Sequence, residues 1–207
     1  MTIDRSKIRP GVDLSGADLS EVDLSGMDLS RINFTGASMS SADLSNTNLG
    51  SAILFKANLQ GSNMSYAYLG YADLRMSNLL SANLLGSNLM QSNMSGADLR
   101  GANLSNACLV MAQMGHTDLR DATLDGADMM NCGLMFAKLD GVNLSKTRGL
   151  PHVYARAYQR RIRHHKDDSF APIAPKATQS EPFEAEPSDE NEAKWRREIS
   201  GEKFQGD

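Results

Sequence analysis

The chain has 207 residues and a mass of 22.5 kDa, enough for one domain with a tail. A formal net charge of -4 argues against a general nucleic-acid binder, which needs clustered Lys and Arg to neutralise phosphates. Two cysteines, Cys108 and Cys132, are too few for a disulfide-stapled secreted domain and read as thiols in a reducing compartment.

The N-terminus, MTIDRSKIRPGVDL, has no apolar stretch of signal-peptide length, and no segment of the chain approaches about 18 consecutive apolar residues. These features predict a soluble, cytoplasmic protein without a membrane span. Secretion by a route that needs no such segment stays open. Residues 1–11 are short, and Ile3 and Ile8 are available to cover whatever follows.

From Val12 a five-residue period governs the sequence. Stepping by five from Leu14 reaches Leu144 without an insertion and meets 27 centres: 21 Leu, five Met and Phe34. The next step lands on Gly149. Two places before each centre the residue is Ala 15 times, Ser or Thr six times, Val, Ile or Met five times and Cys once. Directly before the centre, Asp or Asn fills 19 of the 27 places. Period five fits neither a helix nor an open strand, but it fits a short strand followed by a turn. Ala17 and Leu19 then share one face of a strand, and Asp18 points the other way. Ser20 and Glu21 form a corner, and Gly at the second corner position, as at Gly16 and Gly26, suits a tight turn. A chain that turns repeatedly in the same sense must coil, with the Leu column inside and the Ala column small because the tube is narrow.

The unit Ala17-Asp18-Leu19-Ser20-Glu21, or Ala102-Asn103-Leu104-Ser105-Asn106, resembles the A(D/N)LXX motif of the pentapeptide-repeat family. The resemblance implies an all-β fold: a right-handed quadrilateral β-helix with four repeats per coil over residues 12–148. On that basis 27 repeats make nearly seven coils.

After Leu144 the character changes. Pro151 suits a first helical position, and Tyr154, Tyr158 and Ile162 recur every fourth residue as one apolar stripe. Arg156, Arg160, Arg161, Arg163 and Lys166 make the remainder basic. Residues 150–166 therefore read as a helix that caps the last coil, dimerises, as the family resemblance suggests, or meets an anionic partner. His152, His164 and His165 lack Cys or carboxylates at ligand spacing and form no metal site. Residues 167–207 are acidic and Pro-rich and predict a disordered tail. Within it, 188–204 can form a short helix that carries Trp195, either an idle aromatic or a partner anchor.

No catalytic constellation is present: no Gly-rich phosphate loop, CxxC, HExxH or GxSxG. His116, beside Asp118 and Asp121, reads as an exposed turn residue. Neither enzyme activity nor a cofactor is expected. If four repeats make a coil, every twentieth residue stacks. The wall through Leu69, Leu89, Leu109 and Met129 then carries Tyr68, Tyr71, Met90, Val110, Met111 and Met130 outward. The neighbouring wall adds Phe55, Met76, Met135 and Phe136, and the next adds Leu80. A contiguous apolar patch suggests an interface, and stacked side chains covering one another would be the plainer explanation. The leading reading is thus an interaction scaffold for a protein partner or a second copy. The family supplies an alternative, the DNA-mimicking binders of DNA gyrase and topoisomerase IV of the quinolone-resistance type. Residues 11–150 hold 13 acidic and eight basic residues, a net of -5, and the acids thin out where Asn dominates. Secreted effectors of bacterial pathogens share the motif as well.

Overall fold

The computed structural model describes residues 7–150. Within them the backbone pairs as single-residue parallel bridges between residues twenty apart, beginning at Asp13 with Asn33 and ending at Asp128 with Arg148. Four bridge columns therefore run along the solenoid. Column I starts at Asp13, II at Asp18, III at Asp23 and IV at Asp28, and each advances by twenty residues per coil. Adjacent coils lie about 4.8 Å apart. Ile8 is buried and joins the core at the first coil; Ile3 lies outside the described residues, as do 151–207. Among the described residues no helix is long and apolar enough to cross a membrane.

The period of five follows from the accounting of backbone N–H groups. Within the body of the solenoid each repeat has five. Leu79 illustrates the centre, donating to Asp98 in the next coil at 2.7 Å; Asn78 donates to Ala57 in the previous coil at 2.9 Å. The second corner residue, Ser81, donates to Arg100 at 2.9 Å, and Ala82 closes the turn on Leu79 at 3.0 Å. The first corner residue, Leu80, has no neighbour in position, and its N–H goes to the side chain of Asn78 at 3.1 Å. This last bond recurs at all 19 repeats that carry Asp or Asn before the centre, at 2.9–3.3 Å. Asp and Asn are the side chains short enough to fold onto a backbone N–H two residues on.

Every second corner residue from Gly16 to Gly141 has a positive φ of 55–78°. Nine of these 26 are Gly and 17 are not. The centres are sealed: Leu24, Leu44, Met64, Leu104 and Met129 are all at 0% exposure, and the Ala column packs beside them. Where Ser or Thr replaces Ala, the hydroxyl is buried and donates to the carbonyl of the preceding centre, at 2.6–2.8 Å from Thr47, Ser62, Ser77, Ser87, Ser92 and Thr117. A polar atom thus enters the narrow tube already satisfied.

The two inner columns differ in what truncation removes. Leu99→Ala is expected to lower stability by about 3 kcal/mol through the cavity it leaves. Ser92→Ala is expected to change it by less than about 1 kcal/mol, because the Leu89 carbonyl keeps its bond from the Ser92 N–H. Denaturant midpoints of the two variants against wild type measure the contrast.

Candidate functional site: the apolar flank

With the core closed, any function lies on the outside, in the residues flanking each centre and in the corners. Column II is charged and internally paired. Arg100 clamps Asp98 and Arg120 clamps Asp118 through two side-chain bonds each, at 2.7–2.9 Å. Lys138 reaches Asp118 from the next coil at 3.5 Å. Arg75 holds Asp73 of column I in the same way. Column III carries an amide ladder, in which Asn63 donates to Asp43, Asn83 to Asn63 and Asn103 to Asn83 at 3.1–3.2 Å.

Column IV and its bounding corners are different. Tyr68, Tyr71, Met111 and Met130 are exposed, and Met90 and Val110 are half-buried between them. Met90, Val110 and Met130 follow one another at twenty-residue steps, so they stack, whereas Leu150 packs against the end of the core. Tyr68 lies flat: a Cβ on Gly70 would come within 2.6 Å of its hydroxyl, and one on Gly50 within 2.8 Å of its ring. The two glycines thus make a bed for the ring, so this residue is partly wall packing. Tyr66, at the corner leading into column IV, is 62% exposed and leans over Gly86, where a Cβ would meet its ring at 2.7 Å. Sequence reasoning missed Tyr66. Its signal was present, since an aromatic occupied a column otherwise held by Gly and Asn up to Lys146, but that corner was not followed coil by coil. Ile53 of column I, also missed, is 41% exposed in the place of an Asp or Asn.

On the neighbouring corner Met76, Met135 and Phe136 are exposed, with Phe136 stacked on His116 at 4.9 Å between ring centroids. Phe55 is half-buried beneath Lys56 and Arg75, whose charges lie 5.2 and 5.5 Å from its ring centre. Leu80 is half-buried in column II, apart from this surface. Tyr154, Tyr158, Ile162 and Trp195 lie outside the described residues.

Backbone conformation adds a second mark. Tyr66, Tyr71, Met76, Met111, His116 and Phe136 all occupy second corner positions, at φ of 58–61°. A left-handed backbone costs an L-residue about 1–2 kcal/mol that Gly does not incur. All 26 second corners share this conformation and 17 of them are not Gly, so what sets these six apart is the bulk of an outward-facing ring or thioether.

Among the described residues no group of three or more His, Cys, Asp or Glu could hold a metal ion. Burial pushes the Cys132 thiol up to about 11. Arg120 holds the Asp118 carboxyl down at about 2. A carboxylate depressed on folding adds stability that is complete above its unfolded value of 3.8 and disappears as pH falls towards 2. Asp118→Asn keeps the turn bond to the Arg120 N–H and loses the charge together with the Oδ2 acceptor that Arg120 and Lys138 share. It is expected to cost about 1 kcal/mol at pH 7. Urea titrations at a series of pH values should show the gap to wild type closing between pH 3.8 and 2.

Comparison with known proteins agrees with this architecture. The family model for pentapeptide repeats matches in eight copies, covering residues 13–50 and 57–145 in overlapping stretches. Among curated proteins none matches. Similar solved structures include the pentapeptide repeat protein Rfr23 from the cyanobacterium Cyanothece 51142. It is 22% identical, with 66% of this chain and 90% of that one covered and a TM-score of 0.37. Another is QnrB1, a plasmid-mediated fluoroquinolone resistance protein, 18% identical over 77% of this chain and 93% of that one, TM-score 0.41. A third is the pentapeptide repeat protein alr5209 from Nostoc Pcc 7120, 33% identical over 51% of this chain and 83% of that one, TM-score 0.29. The chain belongs to the pentapeptide-repeat family, whose members fold as right-handed β-helices.

Proposed function

We propose that the protein is a non-enzymatic scaffold that binds a protein partner through the apolar flank of column IV. The observation that carries this reading is the set of bulky apolar side chains, Tyr66, Tyr71 and Met111, held exposed on left-handed corners. The flexible thioethers of Met90, Met111 and Met130 suit a surface that must adapt to what it meets. DNA mimicry gains less support. It needs an unbroken negative strip, whereas Asp73, Asp98 and Asp118 are each neutralised by their own Arg.

The finer architecture follows the same reading. Twenty residues per coil in four bridge columns support a quadrilateral cross-section. The protein acts in the cytoplasm.

The test combines Tyr71→Ser, Met90→Ser, Val110→Ser and Met111→Ser in one chain whose melting curve is checked against wild type. Affinity capture from native lysate is then quantified by mass spectrometry for both. A partner held by wild type and depleted at least tenfold by the folded variant is the expected result. A specific partner that survives the substitutions would move the site away from the flank.

A further inference from the structure

We infer that the occupant of the column IV flank is a second copy of this chain, packed antiparallel on a two-fold axis that runs along the Cys108–Val110 strand. The inference rests on the scaffold reading and names its partner. Its basis is how the flank maps onto itself.

Such an axis lies between the two faces and reverses the solenoid direction while keeping each lateral position. The coil of Cys108 and Val110 then faces its own copy. The coil below faces the coil above, because the column advances by twenty residues in either direction. Met90 meets Met130 of the other copy. Asn88 meets Asp128, so an amide donor stands opposite a carboxylate. Two coils out, Tyr68 meets Arg148 and Tyr66 meets Lys146, an aromatic ring opposite a cation in both cases. Arg148 and Lys146 are both exposed. No pair sets like charges against one another. Parallel packing fails this comparison, because it sets Asp128 against the Met130 thioether.

The period strengthens the case. Both copies carry side chains at the same coil spacing of about 4.8 Å, so contacts repeat in register over five coils. The size is also appropriate. Tyr66, Tyr68, Tyr71, Met111 and Met130 are 42–62% exposed, about 500 Å² of apolar surface together. An interface about 60% apolar would then cover about 800 Å² per copy, the usual share of a stable complex.

Cys108 makes the test direct, since it sits on the axis facing its counterpart. It is half-buried, while Cys132 is buried with a thiol that stays protonated to about 11. A short bis-maleimide added to the full-length chain should therefore yield a covalent dimer joined at Cys108, mapped by peptide mass spectrometry. In a Cys108→Ser background, Met90→Cys mixed with Met130→Cys should cross-link, and neither should cross-link with itself. Val110→Asp places two carboxylates face to face. It should weaken the dimer about 100-fold in sedimentation equilibrium while leaving the melting curve unchanged. A monomer at the highest soluble concentration would overturn the inference, as would a Met90→Cys self cross-link. So would a dimer indifferent to Val110→Asp and lost on Tyr158→Asp, which would place self-association after residue 150. If the chain is monomeric yet a heterologous partner is lost on the flank substitutions, the scaffold reading stands and only the second copy falls.

Discussion

Everything in this solenoid depends on finding a partner for the one backbone N–H in five that no neighbouring coil can reach. Coiling at twenty residues per turn satisfies four of the five groups through adjacent coils and the turn itself. The fifth, on the first corner residue, would be left bare at the wall. An Asp or Asn two residues earlier accepts it, as Asn78 does for Leu80. The same Oδ1 is then free on its other side to accept from the coil above, as Asn58 does from Asn78 at 3.0 Å. The column that looks like decoration in the sequence is thus a structural acceptor at 19 of the 27 repeats.

Two consequences follow for function. The interior is committed to close packing of Leu, Met and Ala and leaves no room for chemistry. The exterior is a regular lattice of outward positions, so a change in residue type along a column becomes a stripe. Column II carries clamped ion pairs at Asp98 and Asp118, column III carries a ladder of amides, and the corners bounding column IV carry a stripe of Tyr and Met. Charge that is paired within its own repeat contributes little to long-range steering. That leaves the apolar stripe as the surface with most to gain from a partner.

The corners show where local preference and outer surface pull apart. Gly relaxes a left-handed corner, and Gly16, Gly26 and Gly36 take that course in the early coils. Farther along, Tyr66, Tyr71, Met76 and Met111 occupy the same backbone conformation. Their side chains lean on the following coil: Tyr66 covers Gly86, and the Met76 sulfur lies over Gly96. Part of their apolar area is therefore spent along the wall and part remains open, which sequence pattern by itself cannot apportion.

The unbroken step of five from Leu14 to Leu144 determined the fold, the inner columns and the corners, because one period allows only one way to bury its Leu face. It also located Tyr68, Tyr71, Met90, Val110, Met111 and Met130 on a single wall, since stacking every twentieth residue is arithmetic. Tertiary structure decided what arithmetic could not reach. It laid Tyr68 flat on Gly50 and Gly70, closed Arg100 and Arg120 onto Asp98 and Asp118, and left Tyr66 standing open at the edge of the flank. The reason is physical: a period specifies which residues become neighbours, but the direction a side chain takes on a crowded wall depends on the space left by residues twenty positions away.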